Sequence, residues 1–320
     1  MKRRIVAASL LLVGCGGTAT GPVQRVAIPP GSTVLAVADS LAAHQLIGSI
    51  GWFRFRARVA RVDRRLKVGI YEFQPGASIT AILRKLRTGD ALQFRVTLPE
   101  GGTLFDLARN AESQLGIPSQ TLLDAASDSA LRARYDISAP SVEGWLLPES
   151  FDFDGFTTAS QVLDRFLAAR RNGWLPKWDS SAARAGLSRF DVLTLASIVE
   201  AEALVPSDRP PIAAVYRNRL RKRMLLQADP TIQYAYLLRD GQRKPRLYNK
   251  DYAFASPWNT YRHPGLPPGP IGDPGNAAIE AVLYPPDVAF LYFVAGPDGK
   301  HLFARTYSEH LANIRRTRKP

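Results

Sequence analysis

Apolar residues along this chain recur with two periods, and the switches between them mark out its elements. Three stretches share one grammar: "VAIPPGSTVLAVADSL" (26–41), "YEFQPGASITAILRKL" (71–86) and "RVTLPEGGTLFDLARNA" (95–111). Each opens with a short apolar strand, turns at Pro and Gly, offers a Ser or Thr, and continues with apolar residues at helical spacing. Gly31, Gly76 and Gly101 fall at the turns, and Ser32/Thr33, Ser78 and Thr103 stand where a side-chain oxygen caps a helix. Units this short cannot each bury a core, so the three are expected to pack together as a small α+β unit. Between the first two, "GWFRFRARVARVDRRLKVG" mixes apolar and basic residues in a way that fits helix and strand equally.

Further along, helices are expected over 119–136 and 157–171. In "LSRFDVLTLASIVEAEALVPSDRP" (187–210), Ser188 and Asp191 form a capping pattern, and Val192, Leu195, Ala196, Val199 and Ala203 make a buried helical stripe. Pro210 opens the next helix, and "LQADPTIQYAYLL" (226–238) is expected to begin with Asp229 as N-cap and Pro230 as its first helical residue. "SPWNTYRHPGLPPGPIGDPG" (256–275) then carries eight prolines or glycines from Gly265 to Gly275, an irregular run of the length that functional loops have. A strand over 290–296 and a basic helix from Ser308 close the chain. The class expected is α+β.

Charge narrows the partners. The chain of 320 residues has 42 Lys and Arg against 28 Asp and Glu, a net charge of +14, which raises nucleic acid first. The basic residues are dispersed, in "FRFRARVARVDRR", "RNRLRKR" and "RRTRKP", and form no nucleic-acid motif, so no nucleic-acid partner is expected. Dispersed positive charge also suits anionic lipids and cell-wall polymers. The N-terminus reads "MKRRIVAASLLLVGCGG": three basic residues, an apolar run from Ile5 to Val13 too short to span a bilayer, then Gly14 and Cys15. Leu12-Val13-Gly14-Cys15 resembles a bacterial lipobox, which makes Cys15 a lipidation site and residues 1–14 a signal peptide. Cys15 is the only cysteine, so no intramolecular disulfide is possible.

Much chemistry is excluded. The four histidines stand in no metal-binding spacing, and the chain has no dinucleotide fingerprint, phosphate loop or nucleophile elbow; neither metal nor cofactor is expected. Carboxylate acid–base work remains. Glu200 and Glu202 fall on opposite edges of the stripe at about 100° per residue, so they cannot both aim into one site. A carboxyl at the border of a core is partly desolvated, which raises its pKa as a general acid requires. Periodicity leaves the two equivalent, and solvated shoulder residues would give the same pattern. The loop "SAPSVEGWLLPESFDFDG" (138–155), with Glu143, has the composition of a sugar-contacting surface or of a cover over a core edge.

Taken in order, "IPPGST", "LPEGGTL", "VEGWLLPES", "LASIVEAE", "VYRNRL", "LQADPTIQYA", "WNTYRHPGLPPGPIGDPG" and "LYFVAGPDGKHLF" resemble the endolytic murein transglycosylases of the MltG/YceG-like group, over nearly the whole mature chain. The resemblance implies a spacer (15–24), a LysM-like repeat region (25–112) and a mixed α/β catalytic domain (113–320). It also implies an enzyme that faces the extracytoplasmic space and cuts nascent peptidoglycan to leave 1,6-anhydro ends, beside cell-wall synthases. The family's catalytic glutamate maps onto Glu200, the first of the pair. Gln227, Asp229, Thr231, Asn259, Tyr261 and Glu143 become candidates for binding the glycan. Two departures stand out: Ala201 and Ala203 replace the usual lysine and threonine, and a lipobox replaces the usual N-terminal transmembrane helix. A non-catalytic lipoprotein that binds peptidoglycan is the alternative, and Glu200 beside an open groove is what would discriminate against it.

Overall fold

The computed structural model describes residues 21–62 and 66–317; Cys15 and the leader-like run lie outside the described residues. These form two units, one of residues up to 93 together with 154–156, the other of 94–153 and 157 onward. In the first, strand β1 (Gln24–Ile28) pairs antiparallel with β2 (Gly69–Phe73), setting Val26 opposite Tyr71. Helices α1 (Val34–Ala43), α2 (Ile50–Val59) and α3 (Ile79–Thr88) bring Leu41, Phe53 and Leu86 onto Val26, Ile28 and Tyr71. The ambiguous apolar–basic stretch resolves as α2. A strand would put Phe53 and Phe55 on one face, whereas here Phe53 is buried and Phe55 is 55% exposed, as helical stepping requires.

The second unit runs β3 (Phe94–Thr97), α4 (Leu104–Leu115), α5 (Ser119–Ala126), α6 (Ser129–Arg134), β4 (Ser150–Phe153), α7 (Ala159–Gly173) and α8 (Pro176–Arg184). It continues with α9 (Arg189–Glu202), α10 (Arg209–Arg221), α11 (Asp229–Asp240), α12 (Asn276–Leu283), β5 (Tyr292–Ala295), β6 (His301–Ala304) and α13 (Tyr307–Thr317). The described strands form three two-stranded antiparallel sheets among many helices, so the fold is α+β.

Local grammar holds at all three strand–turn–helix stretches. Gly31, Gly76 and Gly101 take φ of 78°, 76° and 70°, the left-handed turn that glycine adopts without cost. Thr33, Ser78 and Thr103 each accept a backbone N–H at the start of α1, α3 and α4. Packing departs from the expectation, however. The first two stretches share a sheet, but β3 pairs with β4, and Val96, Leu98 and Leu107 enter a core with Leu146, Phe153 and Phe166. The third stretch therefore belongs to the second unit. The single helix expected over 119–136 is two, because Asp128 accepts the Leu131 N–H at 2.7 Å and caps a new start.

Helix α9 is the axis of the second unit. Ser188 and Asp191 form its reciprocal N-terminal cap, and every residue from Val192 to Glu200 is buried. A helix apolar all round has to be enclosed, and α8, α10, α11 and α12 pack around it. Its C-terminus is where the chemistry lies.

Candidate active site

Glu202 is the last residue of α9; at Ala203 the backbone leaves the helix in an extended conformation, and Pro206 follows. The half-buried Glu202 side chain opens on a cleft of about 290 Å³. Tyr216 and Arg219 of α10, Gln227, Asp229 and Tyr261 line it, and β5, β6 and α13 contribute Phe293, His301 and His310. The Tyr216 hydroxyl donates to Glu202 Oε1 at 2.8 Å. Burial pushes the Glu202 carboxyl up to about 7; the Tyr216 hydrogen bond pulls it back, the charge of Asp229 pushes it further up, and Arg219 opposes that. Burial and the neighbouring Glu202 raise the Tyr216 hydroxyl well above its ordinary value, so it stays a donor.

The remaining walls are stiff. Arg219 donates from Nε to the Leu291 carbonyl at 2.7 Å and from Nη1 to the Leu226 carbonyl at 2.7 Å, so its charge is fixed in direction. Gln227 takes φ of 52°, a left-handed conformation that costs a non-glycine residue on the order of 1 kcal/mol. The Thr260 carbonyl accepts the Gln227 N–H at 3.1 Å and the Thr260 hydroxyl accepts the Ala228 N–H at 3.0 Å, which holds that turn. Asp229 proves not to cap α11. It is the first helical residue, behind an Ala228 N-cap without a side-chain bond, and its carboxylate accepts from Tyr261 at 2.5 Å and Tyr252 at 3.3 Å. Proline at the second position, lacking an N–H, allows this start.

Glu200 looks the other way. It is 9% exposed, Oε1 accepts from Arg209 Nε at 3.0 Å and Nη2 at 2.6 Å, and Oε2 accepts the Gly275 N–H at 3.1 Å. The same guanidinium lies 3.5 Å from Glu100. Around this knot the Gly101 N–H donates to the Asp273 carbonyl at 2.8 Å and the Asp273 N–H to the Gly102 carbonyl at 2.7 Å. A Cβ on Gly275 would come within 2.2 Å of Glu100 Oε1, so a larger residue there would push the Glu100 carboxylate aside. Both oxygens of Glu200 are thus engaged in tying α9 to α10 and to the loop before α12.

Of the six residues expected to bind glycan, the structure brings Gln227, Asp229 and Tyr261 together in the Glu202 cleft. The other three lie outside that cleft, turned inward. Thr231 is fully buried and bonds the Ala228 carbonyl and Thr260. Glu143, 5% exposed, accepts from the Leu104 N–H at 3.1 Å and Tyr234 at 3.1 Å, and burial raises both it and neighbouring Asp273. Asn259 is fully buried, with its amide donating to the Tyr252 and Phe254 carbonyls at 3.0 and 2.8 Å and its oxygen accepting the Tyr261 N–H at 3.0 Å. Asn259→Ala strips partners from three part-buried backbone groups, at roughly 1–3 kcal/mol each in the worst case. The expected outcome is a clear drop in melting temperature in a thermal scan, with turnover per folded molecule falling only as far as Tyr261 is displaced.

Tyr216, Arg219 and His310 are cleft residues that sequence reasoning passed over. For the first two a signal is present in "VYRNRL", since Tyr216 and Arg219 are three apart and so share a helix face; nothing in the sequence places His310 beside them. His310 carries a buried Nδ1 without a hydrogen-bond partner among the described residues.

An α+β body presenting, in an open polar cleft, a carboxyl pushed up to about 7 beside a second one at Asp229 has the layout of a carboxylate acid–base enzyme. The chain belongs to the YceG-like family, whose model matches residues 26–316. It is 30% identical over 301 residues to an endolytic murein transglycosylase of Bacillus subtilis, covering 89% of this chain and 82% of the relative. A Streptococcus pneumoniae protein of the same name is 29% identical over 317 residues, which is 90% of this chain and 57% of that longer relative. A crystal structure of a YceG-like protein from Listeria monocytogenes superposes with a TM-score of 0.63 at 31% identity, covering 91% of this chain and 98% of the other.

Proposed function

We propose that this chain is a peptidoglycan lytic transglycosylase in which Glu202, and not Glu200, is the reacting carboxyl. The observation that carries this is a carboxyl pushed up to about 7, opening on a cleft with Gln227, Asp229 and Tyr261. A residue that is acid first and base afterwards works best with a pKa near the operating pH. Glu200, by contrast, would have to break a buried ion pair to offer a proton. A protein that only bound glycan would have no use for such a carboxyl, which disfavours the binding-lipoprotein alternative.

In this reading Glu202 gives its proton to the glycosidic oxygen between N-acetylmuramic acid and N-acetylglucosamine as the bond to the anomeric carbon breaks. The muramic 6-hydroxyl attacks that carbon and returns its proton to Glu202. One 1,6-anhydro end and one free hydroxyl result, and no water is consumed. Ordinary glycosidases need a second carboxyl to activate water or to form a covalent bond. Here the nucleophile is part of the substrate, and its effective molarity stands in for that group. Tyr216 holds the carboxyl by Oε1, and Asp229 and Arg219 set its proton affinity from opposite sides. The first unit would hold the glycan as a LysM-like module, Cys15 would tether the chain by a lipid, and cell-wall synthases at the extracytoplasmic face would supply nascent strands.

The pH profile tests the assignment. The free enzyme must carry the proton, so activity should fall as pH rises through about 7. Asp229→Asn removes a like charge and should move that alkaline limb of kcat/KM to lower pH. Tyr216→Phe removes a bond to the ionised form and should move it to higher pH, each by on the order of one unit. Opposite shifts support Glu202; a limb that neither substitution moves rules it out as the titrating acid.

A further inference from the structure

Helix α2 turns one face into the first unit and leaves the other conspicuously apolar. Phe53 and Ala57 are buried, while Trp52, Phe55 and Val59 are 51%, 55% and 65% exposed. At about 100° per residue these three fall within a wedge of roughly 60°. Arg56 lies to one side of it, and Arg54 and Arg58 to the other. Trp52 and Phe55 stack at 5.4 Å, and the Arg56 guanidinium sits 5.8 Å from the Trp52 ring. Exposed Leu35 of α1 extends the surface, and a groove of about 490 Å³ runs beside it, lined by Val34, Leu35, Gly51, Phe55, Arg54 and Arg58. Between Asp39 and Asp63 the sequence has four arginines and no acidic residue.

We infer that this face of α2 lies on an anionic lipid surface, with Trp52, Phe55 and Val59 entering the headgroup–acyl boundary and the exposed Arg54 and Arg58 meeting lipid phosphates, while Arg56 stays bonded to Thr80 Oγ1 at 3.1 Å. An aromatic and aliphatic stripe flanked by arginine is the pattern of an interfacial helix. Arginine beside an anionic leaflet adds an attraction that a zwitterionic one lacks. Aliphatic Val59 and Leu35 offer nothing to a sugar ring or a hydrated polymer but match acyl chains, and Arg54 and Arg58 line the neighbouring groove. The inference depends neither on the Glu202 chemistry nor on lipidation of Cys15. It adds a second contact that would fix the height and tilt of the first unit over the bilayer.

The test uses the full-length chain with Cys15→Ser, so that the reporter is the only thiol. Phe55→Cys, Val59→Cys and, on an exposed loop, Gln74→Cys are labelled singly with an environment-sensitive fluorophore. Each is mixed with vesicles of phosphatidylglycerol and phosphatidylcholine carrying doxyl quenchers on the acyl chains. Labels at 55 and 59 should shift to the blue and be quenched, and the label at 74 should not. The effect should weaken about tenfold or more in lipid concentration when phosphatidylglycerol is left out, or when Arg54→Gln and Arg58→Gln are combined. Water-like, unquenched emission at 55 and 59 overturns the inference, as does equal binding to neutral vesicles. A blue shift produced by soluble teichoic acid, or by raising the protein concentration without vesicles, would assign the face to a polymer or to a second copy of the chain and overturn it equally.

Discussion

Glu202→Gln should lower glycan cleavage by on the order of a hundredfold or more, the usual scale for a general acid–base group, while leaving glycan binding in place. The same substitution should raise the melting temperature above neutral pH. Burial lifts the Glu202 carboxyl from 4.5 to about 7, so the folded state holds the proton more tightly than the unfolded chain does. Its contribution to stability is fully present below about 4.5 and is lost as pH rises through about 7. At about pH 8 the wild type carries an ionised, poorly solvated carboxylate that Gln replaces without charge; below about pH 4.5 the gain should vanish. Thermal scans of both proteins across this range check the sign. A gain in stability bought with activity is the usual signature of a residue kept for its chemistry.

The second large effect is on stability. Glu200→Ala leaves Arg209, only 15% exposed, with the half-exposed Glu100 at 3.5 Å as its remaining acidic partner, too exposed to replace the lost 2.6 Å pair in full, and leaves the Gly275 N–H unpaired. Removing one member of a buried pair costs about 3–5 kcal/mol. For a unit of this size that is a fall in melting temperature of roughly 10 °C. Arg209→Ala should cost a similar amount, and the double variant much less than the sum, which is the mark of a direct pair in a double-mutant cycle. Turnover per folded molecule should remain within about tenfold of wild type, far above that of Glu202→Gln.

Much of the fold could be read from the chain because its signals are local. The caps at Thr33, Ser78, Thr103 and Ser188 and the turns at Gly31, Gly76 and Gly101 need only near neighbours, and all form as their residue types dictate. Strand pairing is not local. The stretch at 95–111 has the grammar of the first two, and only the pairing of β3 with β4, some fifty residues on, assigns it to the other unit. The site was legible in the same proportion. Periodicity separated Glu200 from Glu202 but could not say which edge of α9 faced solvent, since α9 is enclosed on all sides up to Glu200. What decides between them is distant in sequence: Arg209 and Gly275 occupy one carboxylate, and Tyr216, Gln227 and Asp229 surround the other. Asn259 shows the same limit. A polar residue in an irregular loop reads as a ligand contact, yet here it serves as the loop's internal strut, satisfying three backbone groups.

Non-hydrolytic cleavage by this chain should depend on Glu202. It is tested most directly by digesting purified, uncrosslinked glycan strands in heavy-oxygen water with wild type, Glu200→Gln and Glu202→Gln, followed by mass spectrometry of the new ends. Wild type and Glu200→Gln should give 1,6-anhydro muramic ends, lighter than hydrolytic ends by one water and free of heavy oxygen, and Glu202→Gln none above background. Heavy oxygen in the new ends, or a silent Glu200→Gln beside an active Glu202→Gln, would contradict it.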